Sequence, residues 1–196
     1  MNKLSLSALL VLVIQTLIVI PVLAGEHLLQ PKLGIVDWTD DGTHSVKGNN
    51  FTFDSDKTGS SGFMYLYRID NGFAFGGEVY GYTKDYTHSN GDTGDADVGH
   101  IYGLVEFYFN NDGAIKPFVG LGLGAAGVDF SGEINTDAAG SSIQLKAGVE
   151  FSINERFSLS AEAKYFTIDI DEEIDSQNAD IKSKGYAAFI GFTIKI

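Results

Sequence analysis

A nucleophile and a general base stand side by side in the run from Tyr86 to Asn90, where His88 precedes Ser89. A histidine within hydrogen-bonding reach of a serine hydroxyl can activate that hydroxyl for attack on an ester or an amide. These two residues are adjacent, however, and adjacent side chains of an extended strand point to opposite faces. We therefore expect a polar loop to start here, and we interpret the chain as a protein that is not an enzyme.

Two groups of carboxylates offer the oxygen ligands that calcium and magnesium prefer. One group is Asp92, Asp95 and Asp97, and the other lies between Asp169 and Asp175. Neither group has the glycine and glutamate register of a twelve-residue calcium loop. The histidines are scattered without neighbouring histidine or cysteine ligands, which makes zinc a poor candidate. We expect no cofactor and no defined metal site, and at most divalent cations held loosely by acidic loops.

The elements that position these residues follow from the pattern between Phe63 and Ile196, where apolar and polar side chains alternate in runs of about ten residues. A strand with one lipid-facing side and one interior side requires this period of two. The pattern predicts an all-β fold, an eight-stranded antiparallel up-and-down transmembrane β-barrel. The predicted strands are Leu29–Trp38, Gly62–Asp70, Phe73–Tyr86, His100–Phe109, Ile115–Phe130, Ser142–Ile153, Phe157–Ile170 and Lys184–Ile196.

The connections between these strands alternate in length. Three short turns, at 70–72, 110–113 and 154–156, carry the asparagine, aspartate and glycine residues that tight turns favour. Short turns at one end and long loops at the other are typical of the periplasmic and extracellular ends of a bacterial barrel. The predicted long loops, which hold most of the acidic residues, are 39–61, 87–97, 131–141 and 171–183.

One face of the predicted strands is charged and the other is apolar. The interior of an eight-stranded barrel is just wide enough for its own side chains. Because an unpaired buried charge is costly, the charged face is expected to fill the interior with ion pairs and to form a plug. The predicted interior ion-pair network comprises Arg68, Glu78, Glu106, Lys116, Lys146, Glu150, Glu162 and Lys164, and Lys32 is a further candidate.

Alternation alone does not distinguish a membrane barrel from a soluble lipocalin-like barrel, because both have a period of two. Aromatic residues beside the short turns favour the membrane barrel, since an interfacial girdle requires them. Gly120, Gly122 and Gly124 also favour it, because they would leave room for long side chains in a narrow interior. The predicted girdle is Tyr67, Phe73, Phe107, Phe109, Phe151 and Phe157, with Tyr86, Phe130, Tyr165 and Tyr186 as candidates for a second girdle at the outer end.

The first 24 residues have the features of a cleavable signal peptide. Lys3 provides the positive start, residues 4–23 are mostly apolar, and Pro21 precedes a cleavage site after Ala24. The alternative is a permanent membrane anchor, because the apolar run approaches spanning length. We divide the chain into a signal peptide at 1–24 and a barrel domain at 25–196. The absence of cysteine excludes a lipoprotein anchor and a disulfide framework.

The formal net charge of −13 disfavours nucleic acid as a partner. The expected partners are the lipid and lipopolysaccharide of the outer membrane, and we expect a monomer.

Three segments resemble the small outer-membrane barrels grouped around OmpA, OmpX and OmpW. These are Lys116–Gly124, Gln144–Phe151 and Asn154–Leu159. The tail Gly191–Ile196 is similar to the C-terminal assembly signal of that class, although it ends in isoleucine where phenylalanine is usual. The resemblance implies a barrel that the barrel-assembly machinery inserts into the outer membrane of a Gram-negative bacterium.

Three functional hypotheses follow. The first is a non-enzymatic barrel that contributes to envelope integrity and makes surface contacts through acidic loops. The second is an OmpW-like conduit for small apolar compounds, which requires an apolar outer third near Leu104, Phe166 and Ile168. The third is a lipid A-modifying enzyme, because Tyr86–Asn90 resembles the His-x-Ser-Asn run of an outer-membrane deacylase. The adjacency of His88 and Ser89 disfavours this third hypothesis.

Overall fold

The structure, a computed structural model, describes residues 25–39, 44–46, 49–54, 56–89, 91–110, 112–131, 136–174 and 177–196. The predicted signal peptide at 1–24 lies outside the described residues. Within the described part of the chain, no helix is long and apolar enough to cross a membrane.

All regular structure in the described residues is β-strand. The strands are β1 (Gly25–Trp38), β2 (His44–Val46), β3 (Asn49–Phe53), β4 (Thr58–Ile69), β5 (Phe73–His88), β6 (Thr93–Tyr108), β7 (Ile115–Phe130), β8 (Thr136–Ser152), β9 (Phe157–Ile174) and β10 (Gln177–Lys195). β1 and β4 to β10 pair in chain order, all antiparallel, and β10 returns to β1. This closed circle confirms the eight-stranded up-and-down barrel, because the pairing of β10 with β1 leaves no edge strand.

Both described ends of the chain lie with the three short turns, which we call the turn end. Gly25 pairs with Ile69 beside the first turn, and the amide of Ile196 donates to the carbonyl of His27 at 2.9 Å. In the first turn Gly72 has a φ of +88°, which a residue with a Cβ rarely adopts. The amide oxygen of Asn154 accepts hydrogen bonds from the amides of Arg156 and Phe157, both at 2.9 Å, and so fixes the last turn.

The opposite end, which we call the outer end, differs from the expectation of four long loops. β5 continues to His88 and β6 begins at Thr93. Likewise, β9 continues to Ile174 and β10 begins at Gln177. The predicted loops 87–97, 131–141 and 171–183 are therefore largely strand, and that part of the prediction is wrong. The reason is that apolar residues such as Ala96, Val98 and Ile181 still alternate with the acidic ones and are buried inside the barrel.

The first predicted loop contains the hairpin of β2 and β3. β2 pairs with β10 through Val46 and Ala179, and β3 pairs with β5 through Phe51 and His88. At the outer end this hairpin thus occupies the positions in the wall that β1 and β4 occupy below it. The barrel continues beyond the tops of β1 and β4 with the same number of strands.

The outward-facing residues divide the wall into two zones. Large apolar side chains such as Leu121, Leu145 and Ile190 are exposed around the lower wall, and we call this zone the lipid band. Toward the outer end the exposed residues become polar, as at Thr83 and Asp85 on β5. An apolar belt of this kind is what hydrocarbon tails require of a barrel surface.

Candidate functional site

The centre of the barrel holds six charged side chains from five strands, which we call the central ion network. Lys146 Nζ lies 2.6 Å from Glu106 and 2.8 Å from Glu162, and Glu162 also contacts Lys32 at 2.9 Å and Lys164 at 3.2 Å. Glu78 completes the network by pairing with both Lys32 and Lys164. All six side chains are at most 1% exposed. The network therefore forms a charged layer that crosses the lumen.

A second cluster of charges lies nearer the turn end. The guanidinium of Arg68 pairs with Glu150 at 3.2 Å and with Glu26, and it stacks 4.7 Å from the ring centroid of Tyr108. Glu150 also accepts a hydrogen bond from the hydroxyl of Ser158 at 3.0 Å. Lys116 is buried on β7 directly opposite Glu150 in register. The ammonium of Lys195 lies 3.6 Å from Glu150, so Arg68, Ser158 and Lys195 all contact this carboxylate.

The structure places all eight predicted network residues inside the barrel, divided between these two clusters. Lys32 was only a further candidate from the sequence, yet it binds two carboxylates of the central ion network. Glu26 and Gln30 were not predicted at all, although they alternate with Leu29 and Pro31 on the same strand. The period of two in β1 was the signal that could have identified them.

Gly120 and Gly122 provide the space that the network needs. A Cβ at Gly120 would lie 3.0 Å from the Cγ atoms of both Glu106 and Lys146, and a Cβ at Gly122 would lie 2.6 Å from Cγ of Gln144. This confirms the expected role of these two glycines. Gly124 is required for a different reason, because a Cβ there would collide with the backbone carbonyl of Ile101.

A chain of hydrogen bonds crosses the lumen on the outer side of the central ion network. The indole of Trp38 donates to the Tyr82 hydroxyl at 2.8 Å, and that hydroxyl contacts Nε2 of His100 at 3.1 Å. The other ring nitrogen of His100 contacts the Tyr102 hydroxyl at 3.0 Å. Tyr102 in turn bonds Ser142 at 2.6 Å, and Ser142 donates to the carbonyl of Thr167 at 2.7 Å. Five strands are thereby linked across the lumen.

Beyond this chain the interior is mainly apolar, although His44, Lys84 and His88 are also buried there, and we call its cluster of rings around Phe51 the aromatic cap. Its centre is Phe51, whose ring centroid lies 5.2 Å from Phe53, 5.5 Å from Tyr86 and 5.1 Å from Phe130. Tyr86 and Phe130 were candidates for the outer girdle, and that prediction is wrong because both are buried inside. Tyr86 shares the inward face of β5 with Glu78, and Phe130 shares the inward face of β7 with Lys116, so the alternation turns both rings inward.

The hydrogen-bonded ladder between β4 and β5 is interrupted where the lipid band ends, and we call this interruption the seam. The ladder ends at the pair Ser61 and Gly81, and β5 is paired again only from Tyr86, with β3. Within the seam, the hydroxyl of Ser60 donates to the carbonyl of Gly81 at 2.9 Å. The ammonium of Lys84 donates to the carbonyl of Asp56. Burial is the main influence on Lys84 and lowers the pKa of its ammonium, although nearby carboxylates oppose this effect.

The histidine and serine of the candidate catalytic run do not meet. His88 ends β5 and is buried beside Tyr86, with a centroid distance of 5.3 Å, whereas Ser89 is exposed in the turn. His27, His44 and His100 lie on three other strands at different heights of the barrel. In the part of the chain that the structure describes, no three histidine or acidic residues are grouped to hold a metal ion.

Comparison with known families assigns the fold. A model of the outer membrane protein beta-barrel domain matches residues 10–191 of the chain. The chain belongs to this family. Together with its structural neighbours, this membership places the protein in the outer membrane of a Gram-negative bacterium.

Three solved outer-membrane barrels illustrate the likeness. OprG from Pseudomonas aeruginosa is 17% identical, with 88% of this chain and 96% of that one covered and a TM-score of 0.63. The Neisserial surface protein NspA is 15% identical, with 87% of this chain and 96% of that one covered and a TM-score of 0.54. OmpW of E. coli is 16% identical, with 88% of this chain and 98% of that one covered and a TM-score of 0.51. At these identities the likeness concerns the fold alone, and no curated protein sequence matches the chain.

As expected for an outer-membrane barrel domain, aromatic rings lie at both borders of the lipid band. Phe73, Phe109, Phe151 and Phe157 are exposed beside the short turns, and Phe107 is partly exposed. Tyr67 differs from the expectation, because its ring packs 5.1 Å from that of His27 and is only 7% exposed. At the outer border, Tyr165 and Tyr186 face outward with their centroids 5.3 Å apart.

Proposed function

We propose that this chain is a non-enzymatic, monomeric outer-membrane barrel that contributes to envelope integrity and makes surface contacts through its acidic outer end. The observation that carries the proposal is the central ion network. Six charged side chains fill the lumen, and their carboxylates and ammonium groups satisfy one another. A lumen filled in this way supports a sealed structural element over an aqueous channel. The separation of buried His88 from exposed Ser89 supports a role without catalysis.

Acidic residues at the outer end support contact with lipopolysaccharide through divalent cations. Asp129 lies directly opposite Asp97 on one neighbouring strand and Asp137 on the other, and all three face outward. Like charges in direct cross-strand register destabilise a sheet. Calcium or magnesium ions held loosely between these carboxylates and the phosphates of lipopolysaccharide would relieve the repulsion. Biogenesis in this proposal requires removal of the signal peptide at 1–24 and insertion by the barrel-assembly machinery.

The structural role predicts that a strain without this protein loses resistance to detergent in medium that contains divalent cations. Expression of the wild-type chain should restore survival. Planar bilayers that contain the purified protein should show no conductance steps above the bare bilayer, because the lumen is filled. Steady channels in the bilayer, or detergent survival that does not depend on the protein, would contradict the proposal.

The seam favours a second candidate function, a conduit that releases small apolar compounds sideways into the membrane. A recess in the outer wall covers the seam and includes Gly59, Gly81 and Gly99. Cβ atoms built at Gly59 and Gly99 meet nothing within 4 Å, so packing does not require glycine there. Glycine in a strand interior often marks close approach of a ligand. The buried apolar residues Leu104, Phe166 and Ile168 would line the inner route.

Filling the recess tests the conduit without disturbing the barrel. In the double variant Gly59→Leu with Gly99→Leu, the uptake of an apolar fluorescent dye by intact cells should fall to that of cells lacking the protein. The matched control is Gly103→Leu, which adds a side chain to the outer wall away from the recess. Detergent survival should be unchanged in both variants if the primary role is structural. Equal dye uptake by wild type and double variant would rule out this exit.

A further inference from the structure

The outer wall bears a shallow trough within the lipid band, across β8, β9, β10 and β1. Its floor is a row of small side chains in direct register, with Ala147 opposite Ala163 and Ala163 opposite Ala188. Ala161 widens the floor, and Leu33 and Ile190 form a raised border. The trough has a volume of about 590 Å³, which is within the range of sites that bind small ligands.

Above the trough the acidic character of the outer wall is interrupted. Outward residues of the outer end are acidic on β7, β8 and β9, as at Asp129, Asp137 and Asp169, and Asp169 lies directly opposite Lys182 on β10. On β10 the outward residues are Lys184 and, one outward position higher, Lys182. Among the described residues of the outer end, the only other exposed cation is that of Lys57, on the segment before β4.

The trough and the side chains of Lys182 and Lys184 form one continuous column on the outer wall. Along β10 the outward residues run from Lys182 and Lys184 through Tyr186 to Ala188 and Ile190. Tyr186 and its neighbour Tyr165 lie between the charged and the apolar part, where the ring of a sugar headgroup could rest on them. Lys182 is paired with Asp180 at 3.5 Å, but both side chains are more than half exposed, so this ion pair is weak. Asp169, opposite Lys182 in register, is exposed as well, so solvent screens both carboxylates and an anionic ligand can replace them at small cost.

The length of the column fits half of a membrane. From Lys184 to Ile190 a strand advances about 20 Å, which is roughly 15 Å along the membrane normal at the usual tilt of barrel strands. The hydrocarbon core of a bilayer is about 30 Å thick, so an acyl chain of one leaflet reaches its middle over this distance. The ligand must accordingly combine an anionic headgroup with acyl chains and reside in the outer leaflet.

We propose that this column is a binding site for one molecule of lipid A, with a glucosamine phosphate on Lys182 and Lys184 and an acyl chain in the trough. The inference rests on the proposed contact with lipopolysaccharide and gives it a defined place on the wall. It also separates two modes of attachment. Around most of the outer end the contact uses bridging cations, whereas at β10 the protein supplies the cations itself.

Native mass spectrometry of the detergent-solubilised protein, titrated with purified lipid A, tests the site. The exposed pair Lys182→Gln with Lys184→Gln should weaken binding roughly tenfold or more, because each lysine near an anionic headgroup contributes about 1 kcal/mol. Filling the trough by Ala163→Leu with Ala188→Leu should weaken binding while the lysines remain. Matched controls are Lys57→Gln, an exposed cation away from the column, and Ala125→Leu, which faces outward on β7.

The outcomes separate the site from the broader proposal. Weaker binding in both double variants, with wild-type binding in both controls, supports the site. If wild type and all variants bind lipid A equally, the site is wrong while the contact with lipopolysaccharide stands. If wild type binds lipid A no better than phosphatidylethanolamine, both are wrong. Equal affinity for phosphatidylglycerol would overturn the assignment to lipid A. Because the lysine variants alter only exposed side chains, they remain informative if the trough variants do not fold.

Discussion

Lys146→Met is expected to destabilise the barrel by about 3–5 kcal/mol, because it leaves the buried carboxylate of Glu106 without a cationic partner. Lys146 lies 2.6 Å from Glu106 and 2.8 Å from Glu162, and all three side chains are at most 1% exposed. Methionine fills a similar volume, so the loss reports on the charge and not on a cavity. Glu162 keeps Lys32 and Lys164, whereas Glu106 keeps only the hydroxyl of Tyr108 at 3.0 Å among the contacts that the structure describes.

Urea titration of the protein in lipid vesicles measures this effect. The chain has a single tryptophan, and Trp38 is 4% exposed in the folded barrel, so its fluorescence follows unfolding. Adding Glu106→Gln to Lys146→Met should restore part of the stability, because the least satisfied carboxylate is then neutral. Lys57→Met, at an exposed site, is the control and should change stability by less than about 0.5 kcal/mol. If Lys146→Met were as stable as Lys57→Met, water would solvate the interior charges and the interior would not be a sealed plug.

Phe51→Ala should cost about 3–5 kcal/mol, as truncation of a buried aromatic ring usually does. Phe51 is 1% exposed and contacts three other rings of the aromatic cap at centroid distances of 5.1–5.5 Å. The cap lies beyond the lipid band, so its side chains have no hydrocarbon outside the wall to stabilise them. This part of the barrel depends on its own core, as a soluble protein does.

The same urea titration measures this second variant, together with limited proteolysis from the outside of intact cells. Proteolysis should become faster at the hairpin of β2 and β3, which Phe51 anchors. Phe109→Ala is the matched control, because that ring is 63% exposed on the wall at the turn end and should leave proteolysis unchanged. Unchanged stability and proteolysis in Phe51→Ala would mean that the cap is loosely packed and does not close the barrel.

The sequence predicted the barrel because the physical requirement is local. A residue such as Val105 must face lipid when Glu106 faces the interior, and this alternation is visible without any knowledge of partners. The interior charges were predictable for the same reason. The extent of the strands was not recognised, because Asp95 and Asp97 were interpreted as loop residues. Ala96 and Val98, which alternate with them and point inward, carried the opposite signal.

The contacts among interior residues could not be predicted in this way. The chain from Trp38 to Thr167 requires five strands to present their side chains at one height, and that height depends on the stagger of every strand around the barrel. The seam likewise depends on where β3 replaces β4 beside β5. Nothing in the composition of Gly81–Asp85 marks the missing ladder. The trough of alanines depends on register across three strands and is invisible in any one of them.

The two ends of the hydrogen-bond chain also determine where its hydrogen atoms reside. An indole can only donate and a peptide carbonyl can only accept, so every bond between Trp38 and Thr167 must point the same way. His100 must then carry its hydrogen on Nδ1 and accept at Nε2. Proton transfer along this hydrogen-bond chain would exchange the donor and the acceptor of every bond. The chain could not return to its first state, because the indole of Trp38 cannot accept a proton. The direction of this hydrogen-bond chain is thus fixed, and the chain links five strands without conducting protons.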